Sequence, residues 1–118
     1  MIKDEVVDAY NNRLTANLLN IKNMNPQQLE RVKTIGSAAD NLLKNKDFAL
    51  FVHSFKFDRT DLLIDIKGHT IDDNALRIAI SNQLIGIDEF ISSLKRAVEI
   101  RNRVVTKQAN AQAEADTQ

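Results

Sequence analysis

Apolar residues along this chain fall into helical stripes separated by short polar breaks. Val7, Tyr10, Leu14, Leu18 and Ile21 recur at spacings of three or four, so residues 2–22 read as an amphipathic helix. Lys3, Asp4, Asp8, Asn12, Arg13 and Lys22 make its polar face. A break follows at Asn23–Met24, and a new start at Asn25-Pro26-Gln27-Gln28. Asn25 suits an N-cap, Pro26 suits a first helical position that needs no N–H, and Gln28 can close a capping box. The helix so begun runs through Leu29, Val32, Ile35, Ala39, Leu42 and Leu43 and ends near Lys44–Lys46. Gly36, Ala38 and Ala39 give it a low patch that another helix could approach closely.

From Phe48 to about Phe57 the apolar residues are too dense for a stripe. With Asp47 as its cap, this segment predicts a short helix at the centre of the core, with Phe51 and Phe55 largely buried. Asp58, with Asp61 three residues on, signals a second cap. Leu62, Leu63, Ile64 and Ile66 then form a second short helix stopped by Gly68, with a strand as the competing reading. Thr70 and Asp73 open the last element. Its stripe is long: Leu76, Ile80, Leu84, Ile87, Ile91, Leu94 and Val98, with Val105 beyond. From Ile80 the spacing alternates four and three, which is a heptad pattern. Ile78, Ile85 and Phe90 widen the stripe and predict burial on more than one side. At Arg101 and Gln108 the stripe turns polar, and Ala109–Gln118 offers no side chain able to anchor in a core.

These elements predict an all-α fold, a small helical bundle with a long amphipathic C-terminal helix. Residues 1–108 form one domain and 109–118 a solvated helix end or disordered tail. The length of 118 residues fits one domain, and a hydrophobic share of 43% fits a packed one. One proline, three glycines and 5% aromatic residues lean the same way, away from turn-rich sandwiches and barrels. Lys plus Arg and Asp plus Glu each number 16, so the net charge is zero. That argues against a protein coating nucleic acid by bulk charge and against an acidic DNA mimic. With no cysteine, disulfides, thiolate metal sites and cysteine nucleophiles are excluded. No targeting segment is visible in the first residues, and no apolar run is long enough to span a bilayer, so no membrane partner is expected.

Little catalytic chemistry is on offer. His53 sits in the phenylalanine-rich segment, where burial with one hydrogen bond explains it, and His69 follows Gly68 in a turn. Their spacing makes no metal motif. Asp58, Asp61, Asp72 and Asp73 stand where capping accounts for them, and the isolated glycines form no phosphate loop. No nucleophile has a base and an orienting group in sequence reach. We therefore expect no enzyme, no cofactor and no metal.

Two surfaces remain as candidates. The apolar stripe outruns the core a chain of this size can build, so Ile91, Leu94, Val98, Arg101 and Val105 are expected to contact another copy or a larger partner protein. Arg101 would then pair with an acid across that contact or mark its end. The alternative is a phosphate-contacting surface of Lys95, Arg96, Arg101, Arg103 and Lys107, opposed within that stretch only by Glu99. A solvated helix end also accounts for this charge.

Leu42-Leu43-Lys44-Asn45-Lys46-Asp47-Phe48, followed by Phe55-Lys56-Phe57-Asp58, resembles a group of small helical proteins of tailed bacteriophages. In that group a leucine-rich helix runs into an Asn-Pro-Asp-Phe-like cap, then a short aromatic helix and a last helix with an Ile-rich stripe. Here Lys46 stands where the group has proline, and the resemblance covers about Asp40–Ala97. It implies a structural or morphogenesis protein that acts by contact with itself or with a larger phage or host protein, in the virion or the host cytoplasm. A nucleic-acid-binding regulator, or a phage inhibitor of a host enzyme, is the alternative expectation.

Overall fold

The computed structural model describes residues 4–6 and 23–117. Residues 4–6 are helical, and the remainder of the helix expected over 2–22 lies outside the described residues. Three long helices follow, with no strand among the described residues: α1 (Pro26–Lys44), α2 (Lys46–Asp65) and α3 (Ile71–Asp116). The all-α expectation holds.

Local chemistry sets the boundaries. The Asn25 side chain accepts from the Gln28 N–H at 2.8 Å, and the Gln28 side chain accepts from the Asn25 N–H at 3.0 Å. Pro26 takes the first helical position, where a missing N–H costs nothing. Asn45 ends α1 and starts α2: its N–H donates to the Leu42 carbonyl, and its side chain accepts from the Phe48 N–H at 2.9 Å. The cap expected at Asp47 is thus supplied two residues earlier, and Asp47 lies in the first turn. Thr70 and Asp73 form the expected reciprocal cap of α3. In the turn between, Arg77 donates to the carbonyls of Ile66 and Gly68 and to the Asn74 side chain.

The two short central helices expected from Asp58 and Asp61 are one continuous helix, α2. Nothing between Phe57 and Leu62 interrupts the backbone ladder, and the Thr60 hydroxyl donates to the Lys56 carbonyl within it. A capping residue acts only where a helix begins, so Asp58 has no such role here. Gly68 does not stop the helix either, because α2 ends at Asp65 with Ile66 as its cap.

Contacts along the chain define the topology. Lys33 meets Gln108, Asp40 meets Arg101, Phe48 meets Phe90, Lys56 meets Asp88 and Arg59 meets Gln83. As the first number rises the second falls. Hence α1 and α2 lie end to end, both antiparallel to α3, with α1 on its C-terminal half and α2 on its N-terminal half. The 46 residues of α3 span about 69 Å at 1.5 Å each. That sets the long axis of a 72 × 27 × 26 Å body.

A layer of two helices encloses little. Among the described residues the buried hydrophobic side chains are Ala39, Ile80 and Val104, and α2 has no buried residue. This overturns three expectations at once. Phe51 is 75% exposed and Phe55 only half-buried, so α2 is not a core helix within this chain. His53 is exposed. Ile78, Ile85 and Phe90 are exposed, so the first half of α3 is covered on one side only. The reason is geometric: among the described residues α3 alone packs along α2, and one neighbour cannot cover apolar side chains spread around a helix.

Candidate interaction surface

The seam between α1 and α3 is close because Gly36 has no side chain. A Cβ there would stand 2.3 Å from the Arg101 Cβ and 2.8 Å from the Ala97 carbonyl oxygen. Ala39, one turn on, and Val104 complete the contact. Beside it the Arg101 guanidinium donates to Asp40 at 3.3 Å, and Lys44 donates to the same oxygen at 3.0 Å. These bonds, that from Lys44 first, hold the Asp40 carboxyl below its ordinary pKa of 3.8. Asp73 is also held low, by the Thr70 hydroxyl and backbone N–H that stabilise its charged form.

The expected contact residues are largely engaged within the chain. Ile91, Leu94, Val98 and Arg101 are half-buried on the face of α3 that meets α2 and α1, so Arg101 pairs across an internal seam with Asp40 and not across an intermolecular one. Val105 is 47% exposed, while its neighbour Val104 is 1% exposed and fills the seam. Sequence reasoning missed Val104 and Asp40. The signal was Arg101 interrupting the stripe, since Ala97, Arg101 and Val104 have helical spacing in a shifted phase.

What α3 and α2 leave to water is a different apolar surface. On one flank of the hairpin the rings of Phe48 and Phe90 meet edge to face at 6.4 Å, and Arg59 reaches Gln83 at 3.4 Å. The Arg59 guanidinium also lies 5.5 Å from the centre of the Phe55 ring. On the opposite flank Lys56 pairs with Asp88 at 2.7 Å. Phe51, Leu62, Leu76 and Phe90 extend the first flank and are exposed. Further round, Leu50, Phe57 and Ile64 on α2 and Ile71, Ile78 and Ile85 on α3 are exposed at seven-residue intervals.

The basic residues divide as well. Lys95, Arg96, Arg103 and Lys107 are exposed and make no ion pair among the described residues, whereas Arg101 is committed to Asp40. Among the described residues no group of three His, Cys, Asp or Glu side chains could hold a metal ion, and no helix is long and apolar enough to cross a membrane. Comparison with protein-family models, with curated proteins and with solved structures finds no match.

Proposed function

We propose that this protein is a non-enzymatic helical interaction component, working by self-association or by docking on a larger assembly, in a bacteriophage virion or its assembly. One observation carries the reading. Among the described residues three hydrophobic side chains are buried, while Phe51, Leu50 and Phe57 are 75%, 70% and 67% exposed, and Ile64, Ile78 and Ile85 stand out beside them. A helix with apolar side chains exposed on more than one side belongs inside a larger packing unit, and contiguous exposed apolar surface marks a contact site. The phage setting rests on the resemblance of the segments at 42–48 and 55–58. Light scattering at two protein concentrations tests the reading. A mass that rises with concentration supports it, and a monomer at both that joins no larger assembly contradicts it.

A second reading, a nucleic-acid-binding regulator, is favoured by Lys95, Arg96, Arg103 and Lys107, which make no ion pair among the described residues. It requires DNA affinity that falls steeply between two salt concentrations and that is lost when Arg96, Arg103 and Lys107 become Gln. Arg101 drops out of this set, because its charge is already met by Asp40.

A further inference from the structure

We propose that a second copy of this chain packs, antiparallel, on the flank that carries Phe48 and Phe90. The two hairpins then form a four-helix bundle about a two-fold axis through the Phe55–Gln83 layer. This rests on the self-association reading and names its surface.

The flank is built from two heptad rows. Phe48, Phe55 and Leu62 stand seven apart on α2, and Leu76, Gln83 and Phe90 stand seven apart on α3. Phe48 meets Phe90, and Arg59, one turn after Phe55, meets Gln83. The same antiparallel register sets Leu62 opposite Leu76. Seven-residue rows are the geometry in which a helix receives other helices at a shallow angle. Turning this face end for end exchanges the Phe48–Phe90 layer with the Leu62–Leu76 layer and leaves the Phe55–Gln83 layer, midway along both rows, in the middle. An isologous pair requires that kind of self-complementarity, and here the aromatic layer of each copy meets the aliphatic layer of the other.

Polar groups flank the middle layer: Arg59 Nε is buried and donates to nothing among the described residues, and Asp58, beside it, makes no ion pair among them. Ala79 and Gly86 lie seven apart on either side of Gln83 and keep this edge of α3 low. A Cβ on Gly86 would meet nothing within 4 Å.

Area agrees. Phe51 is 75%, Leu76 51%, and Leu62 and Phe90 each 45% exposed. At roughly 100 Å² apiece, with smaller shares from Phe48 and Phe55, each copy offers about 500 Å² of apolar surface. That is about 60% of the roughly 800 Å² per partner in a standard interface, the ordinary apolar fraction.

Sedimentation equilibrium on the full chain tests the surface. Phe51→Asp is expected to weaken dimerisation at least about thirtyfold with helical circular dichroism unchanged. His53→Asp, exposed on α2 away from this flank, is expected to leave it intact, and Phe57→Asp probes the rival apolar row of Leu50, Phe57 and Ile64. If Phe57→Asp dissociates the dimer and Phe51→Asp does not, self-association stands and this surface is wrong. A native chain that is monomeric throughout overturns both. Should Phe51→Asp unfold the protein, Gln83→Cys decides the matter, because the chain contains no cysteine. Oxidation gives a disulfide-linked dimer if the axis passes this layer, and no cross-link overturns the proposal.

Discussion

Gly36→Ala isolates the contact that holds α1 on α3. Taken alone, replacing a mid-helix glycine by alanine gains about 1 kcal/mol of helix stability. At this position the new Cβ would fall 2.3 Å from the Arg101 Cβ and 2.8 Å from the Ala97 carbonyl oxygen. Neither neighbour is the loose end of a side chain, so α1 must retreat by about 1 Å to restore ordinary contact near 3.5 Å. A gap of that size forfeits about a quarter to a half of each dispersion contact around Ala39 and Val104, and overpacking of this kind costs about 1–3 kcal/mol. The clash therefore outweighs the propensity gain, and a net loss of about 1 kcal/mol is expected. Gly86→Ala, read at a concentration low enough to keep the chain monomeric, is the matched control: it lies mid-helix in α3, meets nothing of its own chain within 4 Å, and should gain up to about 1 kcal/mol. Urea unfolding followed by circular dichroism, at one protein concentration, reads both. Equal stabilisation by the two substitutions would refute the packing of α1 on α3 through Gly36.

The remaining expectations are smaller. Val104→Ala should cost about 2 kcal/mol, because it removes two fully buried methyl groups, while Val105→Ala should cost near zero; denaturant midpoints distinguish them. Thr70→Ala should cost about 1 kcal/mol by removing half of the reciprocal cap of α3, seen in the same assay. Asp40 and Asp73 both have folded pKa values below 3.8, so their contribution is complete above that pH and is lost as pH falls through their lowered values. Acid titration of the native chain should therefore show an extra loss of stability below pH 3.8 that is reduced in Asp40→Asn.

Capping was legible in the sequence because it is local. Asn25 with Gln28 and Thr70 with Asp73 need only a spacing of three, and the structure forms both boxes. The low patch at Gly36 and Ala39 was legible for the same reason, since small size is a property of the residue itself. Asp58 misled because a capping side chain is identical whether or not the backbone stops there. Val105 continues the four–three rhythm set by α2 past Arg101 and is left exposed. In the structure α1 meets α3 on a rotated face, and that brings Val104 in instead. No local pattern contains the direction from which a neighbour arrives. The phenylalanine cluster misled in a third way: its density correctly marks a surface that resists water, but burial by this chain does not follow from density. Phe51 illustrates the gap, being the expected centre of a core and 75% exposed.

The most direct test is thermal unfolding of the native chain as a function of its own concentration. If the exposed apolar surface of α2 and α3 is completed by a second copy, folding and association are linked. The midpoint must then rise with concentration, each tenfold increase adding about 1.4 kcal/mol per dimer. A midpoint that stays fixed over a wide concentration range, with a mass of 13.3 kDa throughout, would contradict the account.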